Sequence, residues 1–245
     1  MFSRFTAAVA AIGLLCAAPA LAKVKAAKEF AFPANEPVKI AVFRPDVMVG
    51  KMTTGGVEEP NAEWTATARA KLAAELARAQ SALGREVVMI EQPMEDANPA
   101  IAEYQALFRA VTIAIANHGG VGLLSQTLPS KHGKFDWTLG PGAAKLAEIT
   151  GANYALMMFT HDSYGTAGRK AVQLLAAGLF GVYVAPGIHV SYAALVDLKS
   201  GDVVWINVDP ESGGDPREDD GATKRVRQML TKFPGSKALE SPGAQ

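Results

Sequence analysis

Apolar and polar positions alternate along the chain in segments that are typical of an α/β protein. The strongest strand signal lies between residues 151 and 208, where the nearly continuous apolar run Tyr154–Phe159 comes first. Two alternating segments follow, Ile188–Leu198 and Val203–Val208, joined by a turn that contains Ser200 and Gly201. A continuous apolar run indicates a strand covered on both faces, and the alternating pair indicates an antiparallel hairpin added to the same sheet. We expect the centre of the fold here.

Within this hairpin, the spacing predicts that Val203 and Trp205 share one face of the last strand. Two earlier strands are predicted at Val38–Phe43, where Pro45 stops the run, and at Glu86–Ile90. Between them, residues 46–60 contain several glycines and predict a mobile or partner-binding loop.

Four segments show apolar residues at helical spacing. The first follows Asn61 and ends at Gly84, and the second follows the cap residues Asn98 and Pro99. A short helix from residue 141 ends at Gly151, and a capping box at residues 215–218 opens the last helix, which places acids first and bases later, as the helix dipole favours. The predicted fold class is therefore α/β (α+β), a mixed sheet with a carboxyl-terminal antiparallel hairpin and flanking helices.

An apolar insert at Tyr164–Gly187 separates the central strand from the hairpin. Its apolar content exceeds what an exposed loop needs, so something must cover it. One alternative is contact with a protein partner or a membrane surface, and the other is a crossover helix packed on the protein's own sheet. The residues predicted to make the partner or membrane contact are Leu174, Leu175, Leu179, Phe180 and Tyr183.

The amino-terminal end has the pattern of an export signal. Arg4 precedes an apolar region, and Ala20 to Ala22 form a small-x-small cleavage pattern, so we expect residues 1–22 to be a signal peptide. The only cysteine, Cys16, follows Leu15 rather than the small residue of a lipobox, so a lipid-anchored outer-membrane form is the less favoured alternative. We expect an exposed lead-in at residues 23–37, one α/β domain at residues 38–233 and a disordered tail at residues 234–245.

Charge and motifs exclude several functions. The chain has 24 basic and 24 acidic residues, so no overall basic field exists to hold nucleic acid. Neither a phosphate-binding loop nor a dinucleotide-binding glycine pattern is present, and we predict no cofactor, no metal site and no catalytic residue. A metal-assisted periplasmic hydrolase using His161 and Asp162 is the alternative, because both residues follow the central strand at its carboxyl end. Their side chains, being adjacent in an extended segment, should point to opposite faces.

The order of elements, the Gly-Ala-Asn-Tyr strand and the Leu-Lys-Ser-Gly-Asp-Val-Val-Trp turn resemble the periplasmic domain of the curli-secretion lipoprotein CsgG and, more distantly, the amino-terminal domain of TolB. The likeness is clearest at residues 151–208. In CsgG a membrane-spanning hairpin occupies the position of the insert, but residues 164–187 lack the alternation of such strands. The resemblance implies a non-catalytic periplasmic protein, associated with the outer membrane and oligomeric, that binds a protein partner or the membrane surface in envelope assembly or secretion.

Overall fold

A computed structural model describes residues 23–26, 30–91, 98–120 and 125–236. Its strands form one mixed sheet, which confirms the predicted fold class. In chain order the strands are β1 (Lys23–Ala26), β2 (Lys39–Phe43), β3 (Asp46–Met52), β4 (Glu58–Pro60), β5 (Glu86–Ile90), β6 (Tyr154–Gly165), β7 (Ile188–Asp197) and β8 (Val203–Asp209). The order across the sheet is β1-β8-β7-β6-β2-β5, and β3 joins β6 while β4 joins β3.

Five α-helices and three short 3-10 turns complete the described part of the chain. The helices are α1 (Ala62–Ala79), α2 (Pro99–His118), α3 (Ala144–Thr150), α4 (Ala167–Phe180) and α5 (Asp219–Met229), and the turns are Gln80–Leu83, Pro129–Lys131 and Pro141–Ala143. The predicted caps at Asn61, Gly84 and Gly151 are confirmed. The Asn61 side chain accepts a hydrogen bond from Trp64 N at 2.9 Å, and Gly84 and Gly151 close their helical segments in the left-handed conformation.

Strand β6 is the centre of the sheet, as the sequence predicts. Along one edge it pairs in parallel first with β2, through Tyr154–Leu156, and then with β3, through Phe159–Gly165. Its other edge pairs with β7 in antiparallel fashion over almost the whole strand. Strand β6 runs six residues past the predicted end at Phe159. This extension carries the polar side chains of Thr160, His161, Asp162 and Ser163.

Each face of the sheet is covered by helices and carries its own hydrophobic cluster. On one face, α1 contributes the buried residues Leu72 and Leu76, and α5 contributes Val226. On the other face, α2 and α3 contribute buried residues such as Phe108 and Leu146. Burial of each such side chain stabilises the fold by about 1.5–3 kcal/mol relative to its exposure, which explains why the periodic stripes specify these helices.

The predicted loop at residues 46–60 is wrong. Residues 46–52 form β3, and Glu58–Pro60 forms β4, which folds back on β3 in antiparallel pairing. The residues of β3 alternate too weakly to predict a strand, but the extended end of β6 offers them an edge with which to pair. A tertiary contact therefore sets the conformation of this segment against its local composition.

The predicted shared face of Val203 and Trp205 is also wrong. Leu195 lies opposite Trp205, whereas the next residue, Val196, lies opposite Val203, so the register shifts at this point. This irregularity turns Val203 towards the cluster under α2 and α3, and Trp205 towards the cluster under α1 and α5. Such a bulge reverses the side on which following residues lie, and the alternation of the sequence does not reveal it.

The lead-in predicted to be exposed is described at residues 23–26 and 30–37, and residues 31 and 33–37 are exposed. Strand β1 pairs with β8 in antiparallel fashion at one end of the sheet. Further along, Phe30 and Phe32 are half-buried and pack edge-to-face against Tyr154. Two aromatic side chains of this otherwise mostly exposed segment therefore pack against the core. The predicted signal peptide, including Cys16, and residues 237–245 of the predicted tail lie outside the described residues.

The predicted capping box at residues 215–218 does not form. Helix α5 begins at Asp219, and its cap residue Glu218 makes no side-chain cap hydrogen bond. The Asp215 carboxylate instead accepts hydrogen bonds from the backbone N and the guanidinium of Arg217. An ion pair with a near neighbour thus replaces the expected contact with the helix end.

Candidate functional site

The insert predicted at residues 164–187 forms helix α4 and a loop that returns to β7. Thr166 caps the helix by accepting a hydrogen bond from Arg169 N, while its own N donates to Met52 O at 3.0 Å. At the far end Gly181 adopts the left-handed conformation, and the N–H groups of Gly181 and Val182 donate to carbonyls of the last helical turn. The helix is therefore capped at both ends within its own segment.

Helix α4 buries none of its side chains against the rest of the protein. The packed crossover predicted as one alternative is therefore absent, and the five residues predicted to contact a partner or membrane are exposed. Their exposed fractions are 74% for Leu174, 59% for Leu175, 71% for Leu179, 75% for Phe180 and 78% for Tyr183. We call these five residues the α4 surface. What they contact stays a prediction.

Two glycines form the neck that connects the α4 segment to the sheet. A Cβ atom on Gly165 would lie 2.3 Å from Pro186 O, and one on Gly187 would lie 2.0 Å from Ser163 O. These distances are below any van der Waals contact, so the two chain segments approach each other only because both positions lack a side chain. The glycines at the neck therefore have a structural role.

A buried ion pair lies beneath this neck, at the carboxyl end of β6. The guanidinium of Arg225, on α5, and the carboxylate of Asp162 are both fully buried, and they form two hydrogen bonds of 2.9 and 3.0 Å. Thr160 and Ser191 hydroxyls lie 2.8 and 2.9 Å from the same guanidinium. Carbonyl oxygens of Ser212, Gly213 and Gly214 also accept hydrogen bonds from it. We call this set the Arg225 cluster.

His189 links the Arg225 cluster to the surface. Its Nδ1 lies 2.9 Å from Asp162 Oδ1, and its ring lies 4.9 Å from that of Tyr164. The Arg217 guanidinium also stacks on Tyr164, 4.0 Å from the centre of its ring, and lies 4.3 Å from the ring centre of Trp64. These contacts tie the neck of the α4 segment to α1 and to the loop before α5.

Electrostatics in the cluster favour a charged carboxylate. Burial alone would raise the pKa of Asp162, but hydrogen bonds from His189 and Arg225 outweigh it and hold that pKa below its usual value. Burial raises the pKa of Tyr164 as well, so its hydroxyl stays neutral. Because both charged groups of the pair are buried, removal of either one would leave the other without its counter-charge and would destabilise the fold.

The residues of the hydrolase alternative do not form a common site. Asp162 is committed to the Arg225 cluster, whereas His161 points to the other face of the sheet and pairs with Glu58 on β4. Within the described residues, no group of three or more His, Cys, Asp or Glu side chains is placed to bind a metal ion. Nothing in this geometry supports the proposed use of His161 and Asp162 in hydrolysis.

Sequence reasoning missed the role of Arg225, which it placed among the basic residues that favour a helix carboxyl end. One sign was available: Arg225 follows Ala222 and precedes Val226, Met229 and Leu230 on the apolar side of the helix. An arginine on an apolar stripe predicts a buried acidic partner. That partner lies 63 residues away in sequence, so the spacing could not identify it.

Comparisons with known proteins show only weak likeness. No family model matches the sequence, and no curated protein matches it either. Among solved structures, the chain is similar to the PelC dodecamer from Paraburkholderia phytofirmans, with 15% identity over 86% of this chain and 96% of that chain, and a TM-score of 0.36. It is also similar to lipoprotein GNA1162 from Neisseria meningitidis, with 18% identity over 70% of this chain and 80% of that chain, and a TM-score of 0.28.

These values are too low to assign a function, and the resemblance to CsgG is not confirmed. No helix in the described parts of the chain is both long and apolar enough to cross a membrane.

Proposed function

We propose that this protein is a non-catalytic component of the bacterial cell envelope that attaches to an anionic membrane surface through the α4 surface. The observation that carries this proposal is a helix whose large apolar side chains, Leu174, Leu175, Leu179 and Phe180, are exposed and not buried in their own protein. Exposed apolar side chains clustered in this way mark a site of contact with a protein or a membrane. The α4 surface therefore requires a contact outside the chain.

The charge of the segment favours lipid as that contact. Residues 163–196 contain no aspartate or glutamate, while Arg169 and Lys170 lie in the first turn of α4. The whole chain is balanced in charge, so this local absence of acids is a property of the segment. Basic residues beside an apolar helix favour attachment to anionic lipid head groups, each contributing about 1 kcal/mol.

The length of the helix favours a position in the plane of the membrane interface. Helix α4 has 14 residues and therefore extends about 21 Å, less than the ~30 Å hydrocarbon core of a bilayer. Phe180 and Tyr183 follow at its end, and aromatic rings are favoured at the boundary between head groups and acyl chains. The export pattern at residues 1–22 would bring the protein to such a surface.

Vesicle flotation tests this proposal directly. We expect the purified protein to float with vesicles of phosphatidylglycerol and to float less with vesicles of phosphatidylcholine, because the latter carry no net charge. Replacing Leu175, Leu179 and Phe180 by Gln should weaken binding to anionic vesicles by at least about tenfold, since each loses its apolar contact. Binding that is equal for the variant and the unchanged protein would overturn the proposal.

A matched control uses exposed apolar residues elsewhere. Leu107, Ile113 and Ile149 are each about 40% exposed on α2 and α3, and the Gln substitution of all three should leave flotation unchanged. If vesicles of both kinds fail to bind, and the α4 substitutions instead lower the molecular mass of the protein in solution, the α4 surface binds protein and the lipid proposal is wrong.

A further inference from the structure

Strand β5 lies at the end of the sheet that the described residues form. Within the described residues it pairs only with β2, and all five of its residues are in regular parallel register. Its side chains from Val87 to Ile90 are apolar and only half-buried. Edge strands in stable monomers are usually protected by lysine, proline or a bulge, and β5 contains none of these. The edge is therefore suited to pairing with another strand.

One hydrogen bond fixes which backbone groups point to the open edge. Arg44, which follows β2, donates its N–H to Ile90 O at 3.0 Å. The carbonyl of Ile90 thus faces β2. Because the N–H and C=O groups of successive residues point to opposite edges of a strand, the N–H and C=O groups of Val88 and Glu86 also face β2. Arg85, Val87, Met89 and Glu91 therefore direct their N–H and C=O groups outward, at the positions where a new strand would bind.

We propose that β5 of a second copy of this chain pairs with this edge in antiparallel fashion, about a two-fold axis at Val88. In that register Val87 of one copy lies opposite Met89 of the other, and Val88 lies opposite itself. Only residues with outward backbone groups then exchange hydrogen bonds, as the antiparallel pattern requires. A two-fold contact of this kind uses the same surface on both copies and closes at the dimer.

Charge selects this register among those that the backbone allows. At both ends of the pairing, Arg85 of one copy lies opposite Glu91 of the other, and both side chains are exposed. Arg85 donates to Gly84 O and lies over the Phe32 ring, and neither contact supplies a negative charge. A shift by two residues would place Arg85 opposite an apolar residue. Opposite charges directly across a strand pair favour the first arrangement.

A slot of about 270 Å³ lies between α1 and the end of β5, lined by Ala73, Ala74 and Ala77 of the helix and by Arg44 and Pro45 after β2. Val87 and Met89 face this side of the sheet. In the dimer the corresponding side chains of the second copy would continue the same face beside the small alanines.

A disulfide across the two-fold axis tests the register. The test uses a chain in which Ser replaces Cys16, so that no other thiol is present, and Gln replaces Leu175, Leu179 and Phe180. In this chain the α4 surface cannot contribute to association. We expect Val88→Cys to form a covalent dimer under mild oxidation, because paired residues that do not exchange hydrogen bonds have Cα atoms about 4.5 Å apart. Glu86→Cys is the control: it is more exposed than Val88 but lies opposite Ile90, so it should crosslink far less. Equal crosslinking at both positions would overturn the register.

Charge reversal tests the proposal without a covalent bond. In the same α4-substituted chain, with residue 88 unchanged, Glu91→Arg or Arg85→Glu alone would place like charges opposite each other twice. Either change should weaken dimerisation, measured by sedimentation equilibrium, by about tenfold. The double reversal should restore the original affinity. The proposal is wrong if the α4-substituted chain remains a monomer at all concentrations, or if the single reversals leave the dimer unchanged.

Discussion

Two regions at the carboxyl end of β6 have opposite polarity. The Arg225 cluster places charged groups in the interior, where every charge has a partner from the same chain. The α4 surface, which follows in the chain, consists of five large apolar side chains that are 59–78% exposed. In the first region each charged group is paired within the molecule, whereas the second region consists of exposed apolar side chains. Two neighbouring regions of the protein therefore differ sharply in how their side chains are partnered.

The largest expected effect comes from breaking the Arg225 cluster. Replacing Asp162 by Ala leaves a buried guanidinium without its counter-charge, so the free energy of unfolding should fall by about 3–5 kcal/mol. Urea denaturation followed by circular dichroism measures this loss. The pair Asp162→Leu with Arg225→Met removes both charges and should recover part of the stability. Near-equal midpoints for Asp162→Ala and the unchanged protein would contradict the structural role given to the cluster.

An intermediate effect is expected at the neck between the two regions. The Cβ atom of Gly187→Ala would meet the backbone oxygen of Ser163, which cannot rotate away, so the strands must separate. We expect a loss of about 1–3 kcal/mol in the free energy of unfolding, typical of overpacking. Thermal melts of Gly187→Ala and of Gly178→Ala, whose Cβ has open space, compare the two positions. A loss of the same size in both variants would contradict this account.

The smallest expected effect lies within α4 itself. Alanine in place of Gly178 should stabilise the helix by about 0.5–1 kcal/mol, because glycine has the greater conformational freedom in the unfolded chain. Since α4 buries no side chain, we expect this gain to appear as slower amide hydrogen exchange in α4 and not as a higher midpoint for global unfolding. A clear rise of the global midpoint would show that α4 unfolds together with the sheet.

The sequence predicts those parts of the fold in which local pattern and tertiary structure agree. The stripes of α1 and α2, their asparagine caps and the strands around Tyr154 are found as predicted. Strand β3 and the end of β6 were missed because polar residues such as Asp162 interrupt the apolar pattern. Asp162 is buried with Arg225, which comes from a helix distant in sequence, and no local pattern contains that information.

The candidate site, like the fold, is predicted by the sequence only in part. The apolar excess of residues 164–187 predicts that something must cover them, and their exposure agrees with a contact outside the protein. The sequence could not separate that contact from a crossover helix, because both require the same composition. Only the position of α4, away from the sheet, distinguishes them. By contrast, the alternation of apolar and polar residues does not indicate the bulge that turns Val203 and Trp205 to opposite faces of the sheet.

The glycine neck also bears on how such a protein could change over time. Because Gly165 and Gly187 bring the two ends of the α4 segment together, the sheet below already resembles one closed by a short turn. Segments of other length or chemistry could be grafted at these two positions without rebuilding the core. The fold would then act as a scaffold that presents interchangeable attachment elements, and the specificity of the protein could diverge while its framework stayed the same.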